Sequence, residues 1–156
     1  MDALNIFTNP ILIVPACAWC VAQVLKVIIN AVMNKKFDIN RLVGDGGMPS
    51  GHSATVTALA VMAGFAKGFG STEFAIAMIF AIVVMHDALG VRRETGKQAV
   101  SIIKMAELLN DYFSEHDEHI KTDKLKVLVG HTPLQVVCGS ALGAVIAIGY
   151  HFIANG

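Results

Sequence analysis

Four strongly apolar blocks, at residues 10–33, 54–69, 74–85 and 132–153, constrain this chain more than any other feature. A helix needs roughly 20 apolar residues, at 1.5 Å rise each, to cross the hydrocarbon of a bilayer. Each block is near or above that length, the third only when it runs on through residues 86–91. In lipid every backbone N–H and C=O must be satisfied within the segment, so such blocks are expected to be helical. The expectation is an all-α, polytopic membrane helical bundle with about four transmembrane helices. Composition agrees, with 54% hydrophobic and 15% charged residues, against about 25% charged in an ordinary soluble domain. At 156 residues, a single membrane-embedded domain over 1–156 is expected. A soluble bundle of buried helices is the alternative that composition alone leaves open.

Twelve Lys and Arg balance twelve Asp and Glu, so net charge gives no argument for a nucleic-acid partner, and none is expected. The placement of the cations says more. Lys35, Lys36 and Arg41 lie between the first two blocks. Arg92, Arg93, Lys97, Lys104, Lys121, Lys124 and Lys126 lie between the last two. Four antiparallel spans put both long basic connections on one face, and the positive-inside rule makes that face cytoplasmic. The reading is a multi-pass protein of the cell membrane. Its first residues, Met-Asp-Ala-Leu-Asn, lack a basic n-region, so no cleavable signal peptide is expected. Cys17 and Cys20 form a C-x-x-C inside a span; two thiols do not make a zinc site, and with Cys138 they read as small packing residues.

Within the first block Gln23, Lys26 and Asn30 recur at i, i+3 and i+7, drawing one polar stripe down an apolar cylinder. A lysine in hydrocarbon costs a few kcal/mol, so Lys26 faces the bundle interior or snorkels to the interface. Residues 34–49 form a polar connection, with Pro49 in the first turn of the second helix. Ala99, Ile102, Ile103, Ala106, Leu109 and Phe113 then mark an amphipathic helix at the membrane surface or against the bundle. Residues 114–123, with His116 and His119, read as a solvated loop, and 124–129 as a short helical run.

Three unusual segments remain: "GGMPSGHSA" at 46–54, "MHDALGVRRETGKQA" at 85–99 and "GHTPLQVVCG" at 130–139. His52 and His131 each stand at the start of a helix. With four antiparallel spans both starts fall on the face that carries Arg92 and Arg93. A helix N-terminus offers unpaired N–H groups and a dipole that favours an anion. Histidine titrates near operating pH, which suits a nucleophile or a proton donor. Gly139 and Gly143 make a G-x-x-x-G, the mark of a closely packed neighbouring helix. Together with Ala16 and Cys20 they suggest small-residue faces for a homodimer or larger assembly.

"PSGH" followed far downstream by the His131 segment resembles the type-2 phosphatidic acid phosphatase and vanadium haloperoxidase superfamily. The three segments together resemble its short divergent branch, the acid phosphatase/vanadium-dependent haloperoxidase-related membrane proteins, over roughly residues 20–145. The resemblance implies that His131 attacks phosphorus and forms a phosphohistidine. It implies that His52 protonates the leaving oxygen, and that Ser50 and Gly51 cradle the phosphate. It implies no metal or other cofactor, with vanadate acting only as a phosphate mimic. Three departures stand out. Lys35 is followed by five residues before Arg41 where the better-known enzymes have six, and Leu42 replaces a proline; Lys26 is the candidate for the lysine role beside Arg41. Leu125 occupies the position of an expected arginine, for which Arg92 or Arg93 is the substitute. Gln135 replaces the aspartate that orients the nucleophile, and Asp87 is the candidate for the missing carboxylate. The expected activity is that of a metal-independent, integral-membrane lipid-phosphate phosphatase acting on a polyprenyl (di)phosphate or a phosphatidyl phosphate. Two alternatives are a degenerate lipid-phosphate binder or partner subunit, and a hydrolase with a divalent ion on Asp87 and Glu94.

Overall fold

A computed structural model of the chain describes residues 6–34, 47–112 and 130–155. These residues form five helices and, among themselves, no strand: α1 (Pro10–Asn34), α2 (Gly51–Lys67), α3 (Thr72–Leu89), α4 (Val91–Tyr112) and α5 (Pro133–Asn155). The bundle is built around α2, which packs on α1, α3 and α5; α1 also meets α5, and α4 meets α3.

The sequence explains why α2 takes the centre. Its buried residues include Gly51, Ser53, Ala54, Ala58, Ala60, Ala63 and Gly64, small on every side. Val14, Ala18 and Ala22 of α1 line up at i, i+4 and i+8 against Ala54, Ala58 and Met62, and Ala147 of α5 closes the same cluster. The residues that α3 buries are Ala77, Ala81 and Ala88. In hydrocarbon a large apolar side chain gains nothing by leaving the lipid, so close backbone approach through small residues holds such helices together. The large side chains point outward instead. Ile76, Ile79 and Val83 of α3 are 65%, 61% and 59% exposed, a surface that a soluble monomer does not carry.

That outward face sets aside the soluble alternative: the chain is an all-α membrane bundle. Three helical stretches, in α1, α3 continuing into α4, and α5, are long and apolar enough to cross a membrane. The fourth expected span, α2, has 17 residues, about 25 Å at 1.5 Å each, and lies enclosed by the others.

Between α2 and α5 the approach is closest. A Cβ on Gly139 would overlap the carbonyl oxygen of Ser50, and one on Gly143 that of Ala54. The G-x-x-x-G therefore serves packing within the chain, which corrects its reading as a face for a second copy. Ala16 and Cys20 lie on the outer surface of α1. Two boundaries also differ from expectation. Ser50, the residue after Pro49, caps α2, so Pro49 precedes the helix and does not stand in its first turn. The amphipathic helix begins at Val91, directly after Gly90 ends α3, with Ala99 and Ala106 inward and Ile102, Met105 and Leu108 outward. Phe113, the 114–123 loop, the 124–129 run and Arg41 lie outside the described residues.

Candidate active site

Ser50 organises the tip of α2. Its Oγ accepts from Ser53 N at 3.3 Å and from Ser53 Oγ at 3.0 Å, and its carbonyl accepts from Ala54 N at 3.1 Å. Its own N–H donates to Gln135 O at 3.0 Å. Both serines are fully buried. Serine is favoured at an N-cap for this reason, and here the cap is also stitched to α5. The structure thus gives Ser50 the part of a brace beneath the helix tip, its N–H donating and its Oγ accepting within the protein. Gly51, one residue on, starts the helix.

The first turn of α5 holds His131. Gln135 Oε1 accepts from Thr132 N at 3.0 Å and lies 3.2 Å from His131 Nδ1; Thr132 Oγ1 in turn accepts from Gln135 N at 3.4 Å. Because Oε1 already accepts an N–H, it faces Nδ1 as an acceptor, so Nδ1 carries the proton. In the neutral imidazole the lone pair is then on Nε2. Gln135 therefore orients the imidazole through Nδ1, as a carboxylate would, but without its charge. His131 is 3% exposed. Its backbone N–H donates to Ala88 O at 3.0 Å, docking the start of α5 on the last turn of α3.

These braces bring the two histidines together. The rings of His52 and His131 lie with centroids 6.1 Å apart and planes inclined at 61°. Asp87, half-buried in the last turn of α3, precedes the residue whose carbonyl holds His131. Arg92 and Arg93 fall in the first turn of α4, at the same junction, and their side chains lie outside the described residues. Glu94, read as a metal ligand in one alternative, instead pairs with Lys97 at 2.6 Å on the exposed side of α4.

From the other side α1 covers the tip. Lys26 is buried at 3% exposure, which settles its direction in favour of the interior. Its stem packs on Gly47, with Cγ and Cδ 3.1 and 3.2 Å from where a side chain on Gly47 would begin. Gly47 has φ 107°, a left-handed conformation that glycine adopts without penalty. Two turns earlier, the Trp19 indole lies 3.2 Å from the corresponding point on Gly51, and the amide carbon of Gln23 lies 3.9 Å from it. The face of α1 that is alanine at one end becomes Gln23 and Lys26 at the other. Trp19 and Gln23 were not among the expected site residues; the polar stripe of α1 was the available signal for Gln23.

Beside His52 an apolar groove of about 430 Å³ opens between α1, α2 and α3, lined by Trp19, His52, Thr55, Val56, Phe80 and Val84. One polar residue of the tip, His52, thus also faces a hydrocarbon-like surface. An anion at the tip would meet two helix N-termini and two imidazoles, while an attached chain would find the groove.

Comparison with known proteins agrees with this architecture. The sequence pattern described as "Divergent PAP2 family" matches residues 7–146. The chain is 38% identical over 151 residues to "Uncharacterized membrane protein YuiD" of Bacillus subtilis (strain 168), an alignment covering 93% of this chain and 96% of that protein. No solved structure matches the chain significantly.

Proposed function

The chain belongs to the Divergent PAP2 family, and on that premise we propose that it is a membrane-embedded phosphatase releasing phosphate from a lipid phosphate. The observation that carries the reading is the pairing of His52 and His131, 6.1 Å between ring centroids, at the meeting of two helix N-termini. Nε2 of His131 attacks phosphorus, the bond from phosphorus to the lipid oxygen breaks, and His52 gives that oxygen a proton. Water then attacks the phosphohistidine, losing a proton to His52, and the P–N bond breaks to free phosphate. Gly51 at the tip of α2, Lys26 and the arginines Arg41, Arg92 and Arg93 hold the phosphoryl oxygens, whose charge the cations neutralise in the transition state. Ser50 supports this cradle from below, and Asp87 supplies a carboxylate at the same junction. No metal takes part, and vanadate acts as a phosphate mimic.

The groove beside His52 supports a lipid as the substrate, either a polyprenyl (di)phosphate or a phosphatidyl phosphate. The site lies at the end of the bundle that carries the basic connections, which the positive-inside rule turns to the cytoplasm of the cell membrane.

The test is phosphate release from phosphatidic acid and from a polyprenyl diphosphate by purified protein in excess EDTA. Release that persists in the chelator and vanishes in His131→Ala is expected, together with acid-labile phosphate trapped on the wild-type protein. Gln135 favours one rival, a degenerate lipid-phosphate binder, since an amide does not stabilise an imidazolium as a carboxylate does. Specific binding of both lipids with no release would establish that rival.

A further inference from the structure

Two polar groups near the tip of α2 lack hydrogen-bond partners among the described residues. Gln23 is 7% exposed, and among the described residues its buried Oε1 has no hydrogen-bond partner. In the first turn of α2, Ser50 N–H goes to Gln135 O, Ser53 N–H to Ser50 Oγ and Ala54 N–H to Ser50 O. The Gly51 N–H has no partner among the described residues. Yet the Gln23 amide carbon sits only 3.9 Å from the point where a Gly51 side chain would begin. Buried side-chain polar atoms are nearly always paired, and an orphan is costly enough to call for a reason. Here an acceptor and a donor share one buried corner without bonding to each other. The corner suits a ligand that both donates and accepts.

We infer that Gln23 binds the phosphoryl group itself, accepting a hydrogen bond from the P–OH of a singly protonated terminal phosphate while the Gly51 N–H bonds another of its oxygens. The inference rests on the phosphatase reading and narrows its substrate. A phosphomonoester, or the terminal phosphate of a diphosphate, can present a P–OH. A phosphodiester of equal charge cannot, and would leave Oε1 orphaned. Lys26, one turn along the same face, attracts both kinds of anion, so charge does not separate them. Gln23 does, by its demand for a proton.

The test uses two small probes, methyl phosphate and dimethyl phosphate, titrated calorimetrically onto the full chain in nanodiscs at pH about 5. Below the second phosphate ionisation near pH 6 both are monoanions, and only the first carries a P–OH. Wild-type protein should bind methyl phosphate about tenfold more tightly, one hydrogen bond's worth. Gln23→Leu should lose that tenfold while binding dimethyl phosphate unchanged. Ligand-free Gln23→Leu should melt at or above the wild-type temperature, because an apolar group replaces an orphaned one. The inference is overturned if the variant binds methyl phosphate as wild type does, if both esters weaken equally, or if the ligand-free variant melts well below wild type. Should wild type bind neither ester, the phosphate reading itself falls, and this one with it.

Discussion

The N–H of Ser50 donates to the carbonyl oxygen of Gln135 at 3.0 Å, so the cap of α2 and the first turn of α5 form one hydrogen-bonded unit. Each of the two motif histidines sits within a few residues of that bond. The distance between His52 and His131 is therefore set by backbone, with the side chains added on top.

The unit depends on how closely α5 approaches. Gly139→Ala or Gly143→Ala places a methyl against the Ser50 or Ala54 carbonyl and forces the helices apart. Each should destabilise the bundle by about 1–3 kcal/mol, the usual range for overpacking. Thermal unfolding in detergent checks this, and an unchanged midpoint for both variants would mean that the helices are not packed as described.

Gln135 is expected to act through His131. Gln135→Leu frees Nδ1 and lets the imidazole rotate, lowering kcat by about 100-fold, the low end of what a positioned proton-transfer group supplies. Gln135→Asp keeps the acceptor and adds charge, so it should hold or exceed wild-type kcat. Steady-state kinetics on one lipid phosphate decide the matter; equal losses in the two variants would remove the orienting role.

Gly47 is tied to Lys26. Gly47→Ala costs about 1–2 kcal/mol for a left-handed residue with a Cβ and crowds the lysine stem. Phosphate affinity should fall in Gly47→Ala, and further in Lys26→Met, where the ammonium itself is gone. Titration with inorganic phosphate reads both, and an unaltered Lys26→Met would place the ammonium outside the site.

The groove predicts a dependence on chain length. Val84→Trp fills it and should raise KM about tenfold for a long-chain lipid phosphate, as expected when roughly 1.4 kcal/mol of apolar contact is lost. A short-chain analogue that never reaches the groove should be unaffected. The same rise for both would show that the tryptophan damages the head-group site instead.

Much of this arrangement was legible in the residues. The apolar blocks located all four bundle helices, because hydrocarbon solvent imposes length and composition together. That His52 and His131 share one face followed from counting antiparallel spans. Other features depended on information that a linear pattern lacks. A G-x-x-x-G announces a close neighbour without naming it, and here the neighbour is α2 of the same chain. Ser50 reads equally well as a cap or as an anion ligand, and the structure shows the cap, through Ser53 and Gln135. Gln23 stood in plain view on the polar stripe of α1, but its significance lies in an unmet hydrogen bond, which needs three dimensions to be seen. The amphipathic pattern beginning at Ala99 missed the first turns of α4 because Arg92, Arg93, Glu94 and Lys97 hide helical periodicity behind charge.

Trp19 stands in two environments at once, over Gly51 at the tip of α2 and in the wall of the groove. On the proposed reading, a hydrocarbon chain entering from the bilayer would press on the same indole that lies over the tip of α2. Tail and head group would be sensed as a single object, with no relay longer than one side chain. Small phosphate esters dissolved in the surrounding water, however well their charge matched, would arrive without that push, which gives a two-histidine site a way to ignore abundant metabolites.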